Sequence, residues 1–79
     1  MAPTLGEYRV GISFNPGGNP SVDAIKRAAA DLIDLIDAHV GVGRHGEVER
    51  LRALALTHVE DAAMWGVKAV TKPPLPEGG

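Results

Sequence analysis

Two runs of apolar residues at helical spacing, over residues 22–40 and 48–69, flank the glycine-rich hexad GVGRHG, and this arrangement leaves few folds open. In the first run Val22, Ile25, Ala29, Leu32, Ile33, Ile36 and Val40 recur at three- and four-residue steps, the stripe of a helix with one buried face. In the second, Val48, Leu51, Ala55, Val59, Ala62, Gly66 and Ala69 repeat the pattern. Gly41, Gly43 and Gly46 make the hexad a loop, because glycine ends helices and admits the backbone of a tight reversal. The expectation is an all-α fold built on an antiparallel two-helix hairpin.

The boundaries of the two helices can be read from their punctuation. Asn19 is a good N-cap, with Ser21 an alternative; Pro20 suits the first turn, and Asp23 complements the positive helix end. Arg27, Asp31 and Asp34 fall on the outer face. The second helix is expected over about 47–71, closed by Pro73 and Pro74. Residues 8–14, YRVGISF, alternate with period two, which predicts a short extended N-terminal arm lying on helices or on another subunit. Residues 1–7 and the proline- and glycine-rich 74–79 are expected to be flexible ends around a domain of residues 8–73.

A chain of 79 residues is one domain and buries too little surface to be robust alone. With no cysteine, disulfides are excluded; three histidines without cysteine do not make a structural zinc site. Oligomerisation is the remaining common staple. Leu35, Leu54, Leu56, Met64 and Val67 lie off the inner stripes, more apolar surface than one hairpin hides, and they point the same way. A formal charge of −2 argues against a duplex nucleic acid as partner. The first ten residues lack the basic start and apolar core of a signal peptide, and no apolar run approaches the roughly 20 residues of a membrane span.

The stretch FNPGGNP, residues 14–20, stands immediately before the first helix. In a hairpin turning near residue 43 the end of the second helix returns to this point, with Val22 level with Trp65 and Asn19 level with Lys68. Phe14, Asn15, Asn19, Lys26, Trp65, Lys68 and Lys72 then gather at one end of a rod about 35 Å long. A helix N-terminus and lysines suit phosphate, an aromatic face stacks on a base, and asparagine offers a donor and an acceptor to base edges. Plainer roles suit the same residues: Asn-Pro as a cap, Phe14 as an apolar staple, Trp65 as an interface residue, Lys68 and Lys72 as dipole partners.

No catalytic constellation accompanies them. NPGGNP is not followed by Gly-Lys-Ser/Thr, so it is no P-loop. His39, His45 and His58 lack the spacing of a metal site on one face, and no serine or cysteine nucleophile has a local base. No cofactor is implied. Long straight helices with acidic charge also argue against a helix–turn–helix reader.

FNPGGNPSVDAIK, then DLIDLID, then ALTHVEDAAMWGVKAVTKP resemble the helical-hairpin domain of phage anti-defence sponges, the anti-CBASS and anti-Thoeris proteins. The resemblance covers about residues 8–73. It implies a non-enzymatic protein of the bacterial host cytoplasm that sequesters cyclic nucleotide immune signals: cyclic dinucleotides such as cGAMP, cyclic trinucleotides, or cyclic ADP-ribose isomers. The compact, all-helical anti-CBASS form implies a homohexamer with dinucleotide pockets between protomers. By motif position Lys26 matches the lysine that meets ligand phosphates, and Phe14, with Tyr8 behind it, is similar to the stacking aromatic. Asn15 and Asn19 lie in the asparagine-rich turn, and Trp65, Lys68 and Thr71 in the second motif. Leu56 stands where anti-CBASS members carry an arginine used for trinucleotides. A helical module that binds a protein partner is the alternative outside this family.

Overall fold

The computed structural model describes residues 2–41, 43 and 45–76, and among these there are three helices and no strand: α1 (Leu5–Val10), α2 (Pro20–Val40) and α3 (Gly46–Thr71). Val42 and Arg44 of the expected loop, and residues 77–79 of the expected tail, lie outside the described residues. α2 and α3 form the antiparallel hairpin. Asn19 caps α2, its side chain accepting from the Ser21 N–H at 2.8 Å, with Pro20 in the first turn. Gly41 (φ 71°) and Gly43 (φ 81°) take left-handed backbone between the helices, and α3 stops at Thr71 before the two prolines. Among the described residues no helix is long and apolar enough to cross a membrane.

The N-terminal segment departs from the expected extended arm. Thr4 and Glu7 form a capping box: the Thr4 hydroxyl accepts from the Glu7 N–H at 3.1 Å, and the Glu7 carboxylate accepts from the Thr4 N–H at 2.9 Å. Those bonds start a helix at Leu5, inside the stretch expected to be a loose end, and Gly11 closes it with φ 63°. The physical reason is hydrogen bonding. A lone extended segment has no second strand for its N–H and C=O groups, whereas a helical turn satisfies them internally. The Thr4 bond, reinforced by Arg27, holds the Glu7 carboxyl below the usual carboxylate range.

α1 packs on α2, and this shifts the buried faces. The Gly6 backbone meets Ala30 so closely that a Cβ on Gly6 would lie 2.0 Å from the Ala30 carbonyl oxygen. Asp34 accepts from the Gly6 N–H at 2.7 Å, so α1 partly covers it on the face expected to be outer, while Arg27, which donates to Glu7 at 2.8 Å, stays exposed as expected. Arg9 extends the contact to α3 by pairing with Glu60 at 2.9 Å. With α1 occupying one flank, the buried arc of α2 turns toward it, and Val22, Lys26, Ala30 and Ile33 are buried while Leu32 is exposed. On α3 the centre is Leu56, 1 % exposed, and Ala63. Leu56 was expected off the inner stripe, and Leu51, expected on it, is half exposed.

The register of the hairpin is also set by contact. Ile25 lies against Gly66, Arg52 pairs with Asp37 near the loop, and the Asn19 amide reaches toward the Val70 carbonyl at 3.5 Å. Asn19 is therefore level with Val70, not with Lys68 as loop counting predicts. An added Cβ at Gly66 would meet Ile25 at an ordinary 3.4 Å, so the register rests on these contacts together and not on glycine at 66.

Gly6→Ala should force α1 off α2 and cost about 1–3 kcal/mol, the usual range for overpacking. Thermal unfolding followed by circular dichroism checks this. Gly17→Ala, where an added Cβ meets nothing within 4 Å, should leave the midpoint unchanged.

Candidate functional site

The turn between α1 and α2 is built from its own side chains. Gly11 leaves α1 in left-handed backbone, and its carbonyl accepts from the Phe14 N–H at 2.9 Å. The Asn15 side-chain oxygen accepts from the Asn19 N–H at 3.1 Å. Its amide donates to the Asn19 carbonyl at 2.8 Å and to Asp23 at 2.9 Å. Gly18, at φ 63°, completes the reversal. The two asparagines expected to face a base edge are thus engaged in closing the turn, and the closed turn carries Phe14 outward, its ring side 72 % exposed.

Lys26 rises from α2 into the hollow of that turn. Its residue is 8 % exposed, yet the ammonium has no carboxylate partner among the described residues. It donates to the Gly11 carbonyl at 2.9 Å and the Phe14 carbonyl at 2.5 Å, and lies 5.3 Å from the centre of the Phe14 ring. Carbonyl dipoles and a ring face solvate a cation without cancelling its charge. An ammonium has three donors and two are used. One donor remains unused, on a side chain that lines two cavities.

Two cavities open beside this ammonium. One, of about 550 Å³, is bounded by Phe14, Asn15, Asn19 and Lys26 on one side and by Val67, Val70 and Thr71 of α3 on the other. The second, of about 420 Å³, is lined by Arg9, Lys26, Thr57, Glu60, Asp61 and Val67 among others. Lys26 and Val67 form part of both walls. The first cavity offers a ring face, an ammonium and apolar walls side by side, a set suited to an anionic group joined to a flat heterocycle.

Five of the residues singled out in the sequence, Phe14, Asn15, Asn19, Lys26 and Thr71, come together here. Trp65 and Lys68 line neither cavity; they pair with each other, the ammonium 5.1 Å from the indole, on the solvent side of α3. At 100° per residue the observed register turns Val67, Val70 and Thr71 toward the turn and carries positions 65 and 68 away. Tyr8 is 77 % exposed on α1 and also lines neither cavity. Arg9, Glu60, Asp61 and Val70 line the cavities although the sequence assigned none of them a binding role. The spacing of 60, 63, 67 and 70 is helical and would have revealed their common face, given the register.

A family model described as the Acb2/Tad1 hairpin domain matches residues 7–71, from the first turn of α1 through the last residue of α3. No curated protein and no solved structure matches the chain.

Asn15→Ala removes three hydrogen bonds that close the turn and should lower stability by about 1–3 kcal/mol. Phe14→Ala, which truncates an exposed ring, should cost less. Urea unfolding of both variants decides the order, and equal midpoints would remove the structural role given to Asn15.

Proposed function

The chain belongs to the Acb2/Tad1 hairpin-domain family of phage cyclic-nucleotide sponges, and on that footing we propose that it captures cyclic dinucleotides such as cGAMP inside the bacterial host, without cleaving them, and so denies CBASS effectors their activator. The observation that carries this reading is the Lys26 ammonium: on a residue more than nine-tenths buried, held by two carbonyls, ion-paired with no carboxylate among the described residues, and adjacent to the exposed Phe14 ring. Such a group is costly to bury unless an anion completes its shell. A phosphodiester does so, and the base attached to it lies within reach of the ring.

Ligand symmetry supports assembly. A cyclic dinucleotide has two phosphates and two bases, while one chain brings one Lys26 and one Phe14. Two copies related by a two-fold axis present both sets, because an isologous interface repeats each group on opposite sides. The molecule has the surface for this. Between α2 and α3, on a face that includes Ile25, Ala28, Leu32, His58 and Ala62, an apolar groove of about 410 Å³ is open, and Leu35, Leu51 and Met64 are exposed elsewhere. A hexamer of three such pairs fits this reading. Leu56, deep in the core, offers nothing to a cyclic trinucleotide.

Inhibition by a sponge is a matter of affinity, and a nanomolar complex corresponds to about −12 kcal/mol. The experiment is capture and release. The protein is incubated with cyclic dinucleotides, cyclic trinucleotides and cyclic ADP-ribose isomers, and free nucleotide is quantified before and after heat denaturation. Depletion of dinucleotides followed by return of the intact ligand is expected. No depletion of any of these ligands would sink the proposal. Lys26→Met keeps the apolar stem and should weaken capture by about 10–100-fold, the worth of a charge-assisted hydrogen bond.

A further inference from the structure

The cavity of about 420 Å³ contains groups that a phosphate site alone does not explain. Glu60 and Asp61 bring carboxylates to within one wall of the Lys26 ammonium, where they repel an approaching anion. They favour a nucleotide only if its base donates hydrogen bonds to them. Bases differ in this respect. Guanine presents two adjacent donors, N1–H and the 2-amino group, with the acceptors O6 and N7 on the neighbouring positions. Adenine presents one amino group between ring acceptors, and no other common base places two donors side by side.

The cavity has the complementary set. Asp61 has no hydrogen-bond or ion-pair partner among the described residues, so both carboxylate oxygens are open to accept. Arg9 is held at the same cavity by its Nε bond to Glu60 at 2.9 Å, which leaves its two terminal amino groups as donors. Met64 and Val67 provide apolar surface for the plane of a ring. Because Lys26 and Val67 belong to both cavities, a phosphate at the ammonium lies next to this one as well as to the Phe14 side.

We propose that the Arg9–Asp61 cavity reads guanine, Asp61 accepting from N1–H and the 2-amino group and Arg9 donating to O6 and N7, so that guanine-bearing cyclic dinucleotides are the preferred cargo. The inference rests on the sponge reading above and adds base choice to it. Titration calorimetry with cyclic di-GMP and cyclic di-AMP, at one salt concentration, tests it on the intact protein and on Asp61→Asn. The unmodified protein is expected to bind cyclic di-GMP at least about tenfold tighter, the scale of one bidentate base contact. Asp61→Asn should lose most of that preference, the ratio of the two affinities falling toward one, because the guanine acceptor pair is lost while the relief of repulsion acts on both dianionic ligands alike. Asp61 is exposed, so the variant should keep the helical circular dichroism of the parent. Equal affinities in the parent, or an unchanged ratio in Asp61→Asn, overturn guanine reading and leave the sponge in place. Binding of neither dinucleotide removes both.

Discussion

The buried ammonium of Lys26 is the constraint around which the rest of the molecule is arranged. A cation placed among apolar side chains needs oxygen partners, and no carboxylate among the described residues forms an ion pair with it: Glu7 and Asp31 are engaged with Arg27 and Glu60 with Arg9, while Asp61 shares a cavity with Lys26 without pairing to it. The carbonyls of Gly11 and Phe14 take their place. For those carbonyls to converge, the chain must leave α1 at Gly11 in left-handed backbone and re-enter α2 through the Asn15–Asn19 closure. The same bonds leave Phe14 outside. One lysine thus joins the α1–α2 turn, the aromatic ring and the anionic binding potential into a single unit.

Close backbone approach is the second determinant. Gly6 on Ala30 is the place where a missing Cβ lets α1 come up to α2. With α1 seated there, the buried arc of α2 runs through Val22, Lys26, Ala30 and Ile33. The core that results is small: Val22, Ala30, Ile33, Leu56 and Ala63. Much of the remaining apolar surface, Leu35, Leu51, Leu54 and Met64 among it, stays exposed in the single chain.

These features give the proposed sponge a physical basis in which binding and assembly are linked. Any ligand held between two copies stabilises the assembled state by mass action. The exposed ring is poorly placed to stabilise the free chain and well placed to meet a base. The Lys26 charge, solvated only by dipoles, has the same character. Both are groups whose interactions are incomplete in the single chain.

The sequence by itself determined the hairpin, its loop, the start of α2 and the identity of Phe14, Asn15, Asn19 and Lys26 as residues of one locality. Helical periodicity, the Asn-Pro start and clustered glycines are local signals that need no tertiary information. The structure alone decided that residues 5–10 are helical: the alternation of YRVGISF favours an extended segment from residue 8, whereas the capping box that starts the helix lies upstream, at Thr4 and Glu7. It alone decided the face of each helix and the hairpin register, since these follow from the docking of α1 on α2 at Gly6 and from long-range contacts such as Asn19 with Val70 and Arg52 with Asp37, not from hydrophobic spacing. The two-residue slip that results exchanges Trp65 and Lys68 for Val67, Val70 and Thr71 at the cavity. On a helix, where each residue turns the chain by 100°, a shift that small is enough to change which side chains a ligand can meet.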